Sequence, residues 1–122
     1  MQFLQNKRFA SNSRKLLKFA YDEGALIICD IVHAELVPQF EGRSMLDKPL
    51  EDINVSVSSV NTDVAFLAGG KWGLYSKSGG ERERIISDFI IGAHAIVKAG
   101  RFLTRDWGFY RSYFPELQIV VL

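Results

Sequence analysis

Apolar and polar positions along the chain switch repeatedly between a helical and a strand-like period. In "ASNSRKLLKFAYDEG", Leu16, Leu17, Ala20 and Tyr21 recur at helical spacing after a Ser11 or Asn12 cap, and Gly24 supplies the stop. "ALIIC" is a continuous apolar run ending at Asp30, short enough for a strand buried on both faces. A second helix is predicted from Asp30 or Ile31 to Val37, since the ring and missing N–H of Pro38 discourage continuation. "SMLDKPLEDI" reads as a short helix or turn, and "INVSV" alternates as a strand does. "NTDVAFLAGGKWGLYSK" sets Val64, Leu67, Ala68, Leu74 and Tyr75 at helical intervals. Gly69, Gly70 and Gly73 each cost such a helix about 1 kcal/mol against alanine, which predicts close packing or a break. After the loop "SGGERER" come a helix containing Asp88, the strand "RFLT", a short helix through "WGFYRSYF" and the strand "LQIVVL". This alternation, without internal repeat, predicts an α/β chain whose parallel sheet is covered by helices on both faces.

Composition narrows the classes without choosing among them. The 122 residues suit one domain, 1–122, and 48% hydrophobic with 24% charged residues describes a globular chain without a disordered tract. A net charge of +1 provides no whole-molecule attraction to nucleic acid, so any such binding must come from local basic clusters. Cys29 is the only cysteine, which excludes an internal disulfide and a cysteine-rich zinc site, and its apolar setting reads as a buried small hydrophobe. Polar residues interrupt the N-terminal apolar positions, no uncharged run is long enough to cross a bilayer, and a cytoplasmic location is the expectation. The glycine pairs match neither G-x-G-x-x-G nor G-x-x-x-x-G-K-S/T.

The acids carry more information. In a parallel α/β sheet the helices run back against the strands, so strand C-termini and helix N-termini share one edge, where ligand sites form. Asp106 follows "RFLT" and Asp88 opens a helix, which places both at that edge. Glu35 lies one turn into the helix after "ALIIC", between Ile31 and Val32 on the wheel and so on the apolar side. A lone buried carboxylate needs a cation or a hydrogen-bonding partner. Three carboxylates converging from three elements suit a hard cation, Mg²⁺ or Mn²⁺, which can lower the pKa of bound water and neutralise charge on a phosphoryl oxygen. Each acid also has an ordinary structural account. Asp88 complements a helix dipole, Asp106 caps the following helix, and Glu35 turns outward. Gly92, Ala95 and Ala99, at i+4, i+7 and i+11 from Asp88, predict close approach of that helix to a neighbour.

These residues resemble the PIN domain and, within that superfamily, the VapC-type toxins. The likeness rests on "IVHAEL", on "ERIISDFIIGAHAIVKAGRFLTRDWGFYRSYFPELQIV" and on the order of elements between them, from about Ser11 to the C-terminus. Its core is the set Asp88, Ile91, Ala93, Ala95, Leu103, Thr104, Asp106 and Phe109 or Tyr110. The resemblance implies a three-layer α/β/α sandwich and a metal-dependent endoribonuclease, the toxin of a type II toxin–antitoxin pair. Glu35, Asp88 and Asp106 would hold Mg²⁺ or Mn²⁺, and Thr104 would hold a water or orient Asp106. RNA phosphates would pass beside Arg82, Arg84 and Arg105, with Arg111 nearby, although Arg82 and Arg84 also read as solvated loop charges. The implied partners are the RNA substrate, a cognate antitoxin that blocks the acidic site, and a second copy in a homodimer or higher oligomer.

One departure from that pattern is large. Members of the family begin with a central strand ending in an aspartate, whereas "MQFLQNKRFASNSRK" resembles the segment after that strand, and no acid precedes Asp22. The expectation is an N-terminally truncated domain whose central strand is missing or supplied by another chain, giving an obligate oligomer with weakened metal binding. A second function follows from the same departure: a catalytically impaired PIN-like module that binds RNA or a protein partner. His33 and His94 are read as surface or packing residues, and Trp72, Tyr75, Trp107 and Tyr110 as core or interface aromatics rather than platforms for unpaired bases.

Overall fold

A computed structural model describes residues 2–4, 26–77, 86–104 and 107–121. Five strands, β1 (Gln2–Leu4), β2 (Leu26–Cys29), β3 (Val55–Ser58), β4 (Arg101–Thr104) and β5 (Gln118–Val121), form one sheet in the order β3-β2-β1-β4-β5. Every pairing is parallel. The helices are α1 (Asp30–Leu36), α2 (Arg43–Asp52), α3 (Thr62–Lys77), α4 (Ile86–Lys98) and α5 (Trp107–Tyr113), with a 3₁₀ turn at Val37–Gln39 after α1. The helix predicted between Ser11 and Gly24 lies outside the described residues.

The expectation of a missing or borrowed central strand is corrected. Residues 2–4 of this chain are the central strand, with Phe3 paired to Ile27 on one side and to Phe102 on the other. Three residues are too few to show a period, so local pattern could not mark them as a strand. Their stability comes from a parallel neighbour on each side rather than from propensity. Among the described residues the centre of the sheet is therefore filled by this chain's own strand.

Elsewhere the boundaries follow simple causes. β2 is fully enclosed, as its apolar run predicts, and in β4 the polar Thr104 is enclosed together with Phe102 and Leu103. α1 ends at Leu36 and the chain tightens into 3₁₀ geometry through Pro38. The Asn61 side chain accepts the Val64 N–H at 3.0 Å and caps α3. Gly100, at φ 89°, makes the reversal from α4 into β4, and its N–H returns to the Ala95 carbonyl at 3.1 Å. α2 continues through Pro49, where a short helix or turn was predicted.

α3 departs from expectation in a useful way. It runs unbroken through Gly69, Gly70 and Gly73, and a Cβ built on any of the three meets nothing within 4 Å. Among the described residues neither the predicted close packing nor the break is found there. Close packing occurs instead at Gly92, where a Cβ would lie 2.7 Å from Cε1 and Cζ of Phe114. Phe114 belongs to a cluster of rings with Phe89, Phe109 and Tyr110 that locks α4 to α5. Gly92→Ala is expected to cost about 1–3 kcal/mol, the usual range for overpacking. A lower urea midpoint at unchanged m-value would register it, and an unchanged midpoint would show that Phe114 yields without cost.

Candidate functional site

The chain leaves β1 toward β2 on one side and later crosses to β4 on the other, so the topological switch point lies at the C-terminal ends of β1 and its neighbours. α4 delivers Asp88 to this edge. Only Ala99 and Gly100 separate α4 from β4, so the helix runs back along the strand. Its 13 residues span about 20 Å against about 13 Å for the four-residue strand, which carries its N-terminus to the C-terminal edge. A direct contact agrees with this placement: the Tyr110 hydroxyl, on α5 just beyond the end of β4, donates to the Asp88 carbonyl oxygen at 3.2 Å. Tyr110 is itself completely buried and stacks edge-on to Phe102 of β4, so the backbone at Asp88 is tied to the sheet through a rigid ring. The Asp88 side chain is half-buried, and Thr104, the last residue of β4, is buried.

Glu35 belongs to a different element. α1 starts at Asp30, immediately after the last residue of β2, and α1 packs against α4. Glu35 is exposed, on the last turn, so the apolar-side placement from the helical wheel is corrected to the outward one. α1 has only seven residues, and its core-facing positions are Val32 and Leu36. Asp106 and Arg105 lie outside the described residues, as do Arg82 and Arg84. Among the described residues no three of His, Cys, Asp and Glu are grouped to hold a metal ion. Glu35 and Asp88 offer carboxylate oxygens, the donor chemistry of a hard divalent cation.

Two polar contacts at this end of the sheet left no mark in the sequence pattern. Asp30 accepts the Val60 N–H at 3.4 Å, which joins the start of α1 to the segment leaving β3. His94 of α4 is fully buried, with Nε2 3.0 Å from the Ser58 hydroxyl at the end of β3. Burial pushes the His94 pKa down, and Lys98 adds to this, while Asp30 and the Ser58 contact oppose it. A neutral imidazole that ties α4 to β3 is the packing role among those expected for His94. Single-residue spacing could not reveal it, because Ser58 is 36 positions away.

The remaining candidates resolve into structure. His33 Nε2 lies 3.3 Å from Oδ1 of Asp47, and Arg43 Nε donates to Oδ2 at 3.1 Å. These contacts, that of His33 first, hold the Asp47 carboxyl below its usual range. His33, Arg43 and Asp47 border a cavity of about 390 Å³ against β3 that neither Glu35 nor Asp88 lines. Trp72 and Tyr75 pack against Phe89 in the core. Burial raises the Cys29 thiol to about 11, consistent with its reading as an enclosed hydrophobe. No helix among the described residues is long and apolar enough to cross a membrane.

No family model matches the chain, and no curated protein matches it by sequence. Solved structures do. A chain of VapBC2 from Rickettsia felis, bound to a DNA fragment from its promoter, superposes with a TM-score of 0.70 at 17% identity, covering 99% of this chain and 98% of that one. VapBC-1 from nontypeable Haemophilus influenzae gives 0.74 at 17% identity, with 98% and 96% covered. DNA-bound VapBC from Salmonella typhimurium gives 0.71 at 18% identity, again with 98% and 96% covered. The chain thus has a VapC/PIN-like fold over almost its whole length, at an identity that carries the fold alone.

Proposed function

We propose that this chain is a metal-dependent endoribonuclease of the VapC type, the toxin of a toxin–antitoxin pair. The observation that carries the reading is the fixing of Asp88 by Tyr110 beside the end of β4, in a fold matched across nearly its full length by chains of VapBC complexes. Glu35, Asp88 and Asp106 would hold Mg²⁺ or Mn²⁺, and Thr104 would orient Asp106 from inside the sheet. When bound, the cation would lower the pKa of water and offset charge on a phosphoryl oxygen. Arg82, Arg84 and Arg105 would bind RNA phosphates, and a cognate antitoxin would cover the acidic edge. A three-layer arrangement accompanies this reading: the crossovers from β2 to β3 and from β4 to β5 run in opposite directions across the sheet, and right-handed connections would put their helices on opposite faces.

A second reading has its own support. No Asp or Glu occurs in residues 1–21, so no acid follows β1, and the chain would then be an impaired PIN-like module that binds RNA or protein without cutting. Incubating the protein with single-stranded and hairpin RNAs in Mn²⁺, Mg²⁺ or EDTA separates the two. Cleavage that requires the cation is the expected result. Intact RNA in every condition, together with no heat of Mn²⁺ binding, would eliminate the nuclease and leave the binding module.

A further inference from the structure

Lys71 of α3 is bound to the end of α5 by directed contacts. Its Nζ donates to the Tyr113 carbonyl oxygen at 3.1 Å and to both carboxylate oxygens of Glu116 at 2.9 Å. The ammonium also lies 5.0 Å from the centre of the Phe114 ring. The Lys71 side chain is only 15% exposed, whereas that of Glu116 is 49% exposed. A lysine charge withdrawn this far from water is costly unless its hydrogen bonds are met, and these oxygens and the ring face meet them.

α5 is also the helix that holds the backbone at Asp88. Tyr113, its last residue, lies about 4.5 Å along the axis from Tyr110 and within about 60° of it around the helix. The Phe114 N–H closes that turn on the Tyr110 carbonyl at 2.8 Å. The Tyr110 hydroxyl in turn donates to the Asp88 carbonyl oxygen. Phe114, under the Lys71 ammonium, is the ring that meets Gly92, one turn along α4 from Asp88. The rings between α4 and α5 pack through apolar contact, which is non-directional, whereas a hydrogen bond weakens steeply off its line. The Lys71 contacts therefore fix the rotation and axial position of a seven-residue helix more closely than the rings alone, and with them the reach of the Tyr110 hydroxyl. We infer that Lys71 is a positioning residue: it sets α5 through Tyr113 and Glu116, so that Tyr110 holds Asp88 where a divalent cation would bind. The inference rests on the nuclease reading, and it adds a residue from a helix that carries none of the proposed ligands.

Mn²⁺ titration calorimetry on a set of variants tests this. Lys71→Met removes the charge and keeps a long apolar stem, and the half-exposed Glu116 carboxylate it releases is rehydrated, so the urea midpoint should move little. The Mn²⁺ dissociation constant is expected to rise roughly 3- to 10-fold, less than the about 10- to 100-fold seen when a direct partner of a metal ligand is lost. Tyr110→Phe should raise it by a similar factor. The double variant should bind within about 2-fold of the weaker single variant, because both changes act along one route. Ile53→Ala is the control: Ile53 is buried just before β3, at the opposite edge of the sheet, and its loss should lower the urea midpoint while leaving Mn²⁺ affinity within about 2-fold of wild type. Wild-type affinity in Lys71→Met would overturn the inference. So would a double variant whose loss is the product of the two single losses, or an equal loss in Ile53→Ala. Absence of Mn²⁺ binding by the wild type would remove the nuclease reading and this inference with it, a result distinct from binding that is indifferent to Lys71.

Discussion

Asp88→Asn is expected to lower cation-dependent RNA cleavage by at least about 100-fold while leaving the fold nearly unchanged. Losing a group one hydrogen bond removed from a metal ligand costs about 10- to 100-fold, and a direct ligand should cost at least the upper value. The amide keeps the shape of the side chain and removes the charge that, on the proposed reading, would attract the cation. Stability should fall by no more than about 1 kcal/mol, the worth of an acid in the first turn of a helix. The Tyr110 contact survives, since it is made to the Asp88 carbonyl and not to its carboxylate. Mn²⁺ titration calorimetry and a urea melt of the same preparation separate the two quantities. Wild-type cleavage by this variant would remove Asp88 from the site, and a collapsed urea midpoint would assign it a structural role.

Phe89→Ala, one residue further along, should do the reverse and cost about 3–5 kcal/mol of stability. Phe89 is completely buried, with Trp72, Tyr75, Phe109 and Phe114 all at ring-centroid distances between 5.4 and 5.9 Å. Those four rings come from α3, α5 and the turn after α5, so the alanine cavity would loosen three segments at once. A loss of this size is a large share of the roughly 5–15 kcal/mol that separates folded from unfolded domains. The urea midpoint should drop accordingly, and Phe89→Leu should lose less. A Phe89→Ala midpoint within about 1 kcal/mol of wild type would mean that the cluster collapses around the hole. Together the two variants separate the chemistry and the packing that share the start of α4.

Elements with a strong local pattern were legible in the sequence. "RFLT" became β4 with the predicted limits, because the apolar pair Phe102 and Leu103 follows a helix-ending Gly100 and is short enough for a strand. α3 was legible as a helix, but the meaning of its glycines was not, since a single chain's pattern cannot say whether small residues face its own core or another molecule. β1 was illegible because its stability lies wholly in partners far along the chain. Glu35 shows the same limit in the site: a wheel placed it beside Ile31 and Val32, whereas the end of a short helix let it point outward. The edge that Asp88 occupies followed from α/β topology. Its tie to Tyr110, 22 positions away, required the tertiary structure.

The central place of residues 2–4 has a consequence for synthesis. β3–β2 and β4–β5 are joined into one sheet only through this strand, and Phe3 pairs with Phe102, roughly a hundred residues later. At ~5–20 residues per second, the ribosome produces that partner on the order of 5–20 s after the strand itself. During this interval one edge of the first-made strand has no partner to pair with, and parallel pairing over such a separation is slow even after release. Slowing translation, or fusing a bulky tag ahead of residue 2, is therefore expected to reduce the soluble yield more than the same change at a loop between helices.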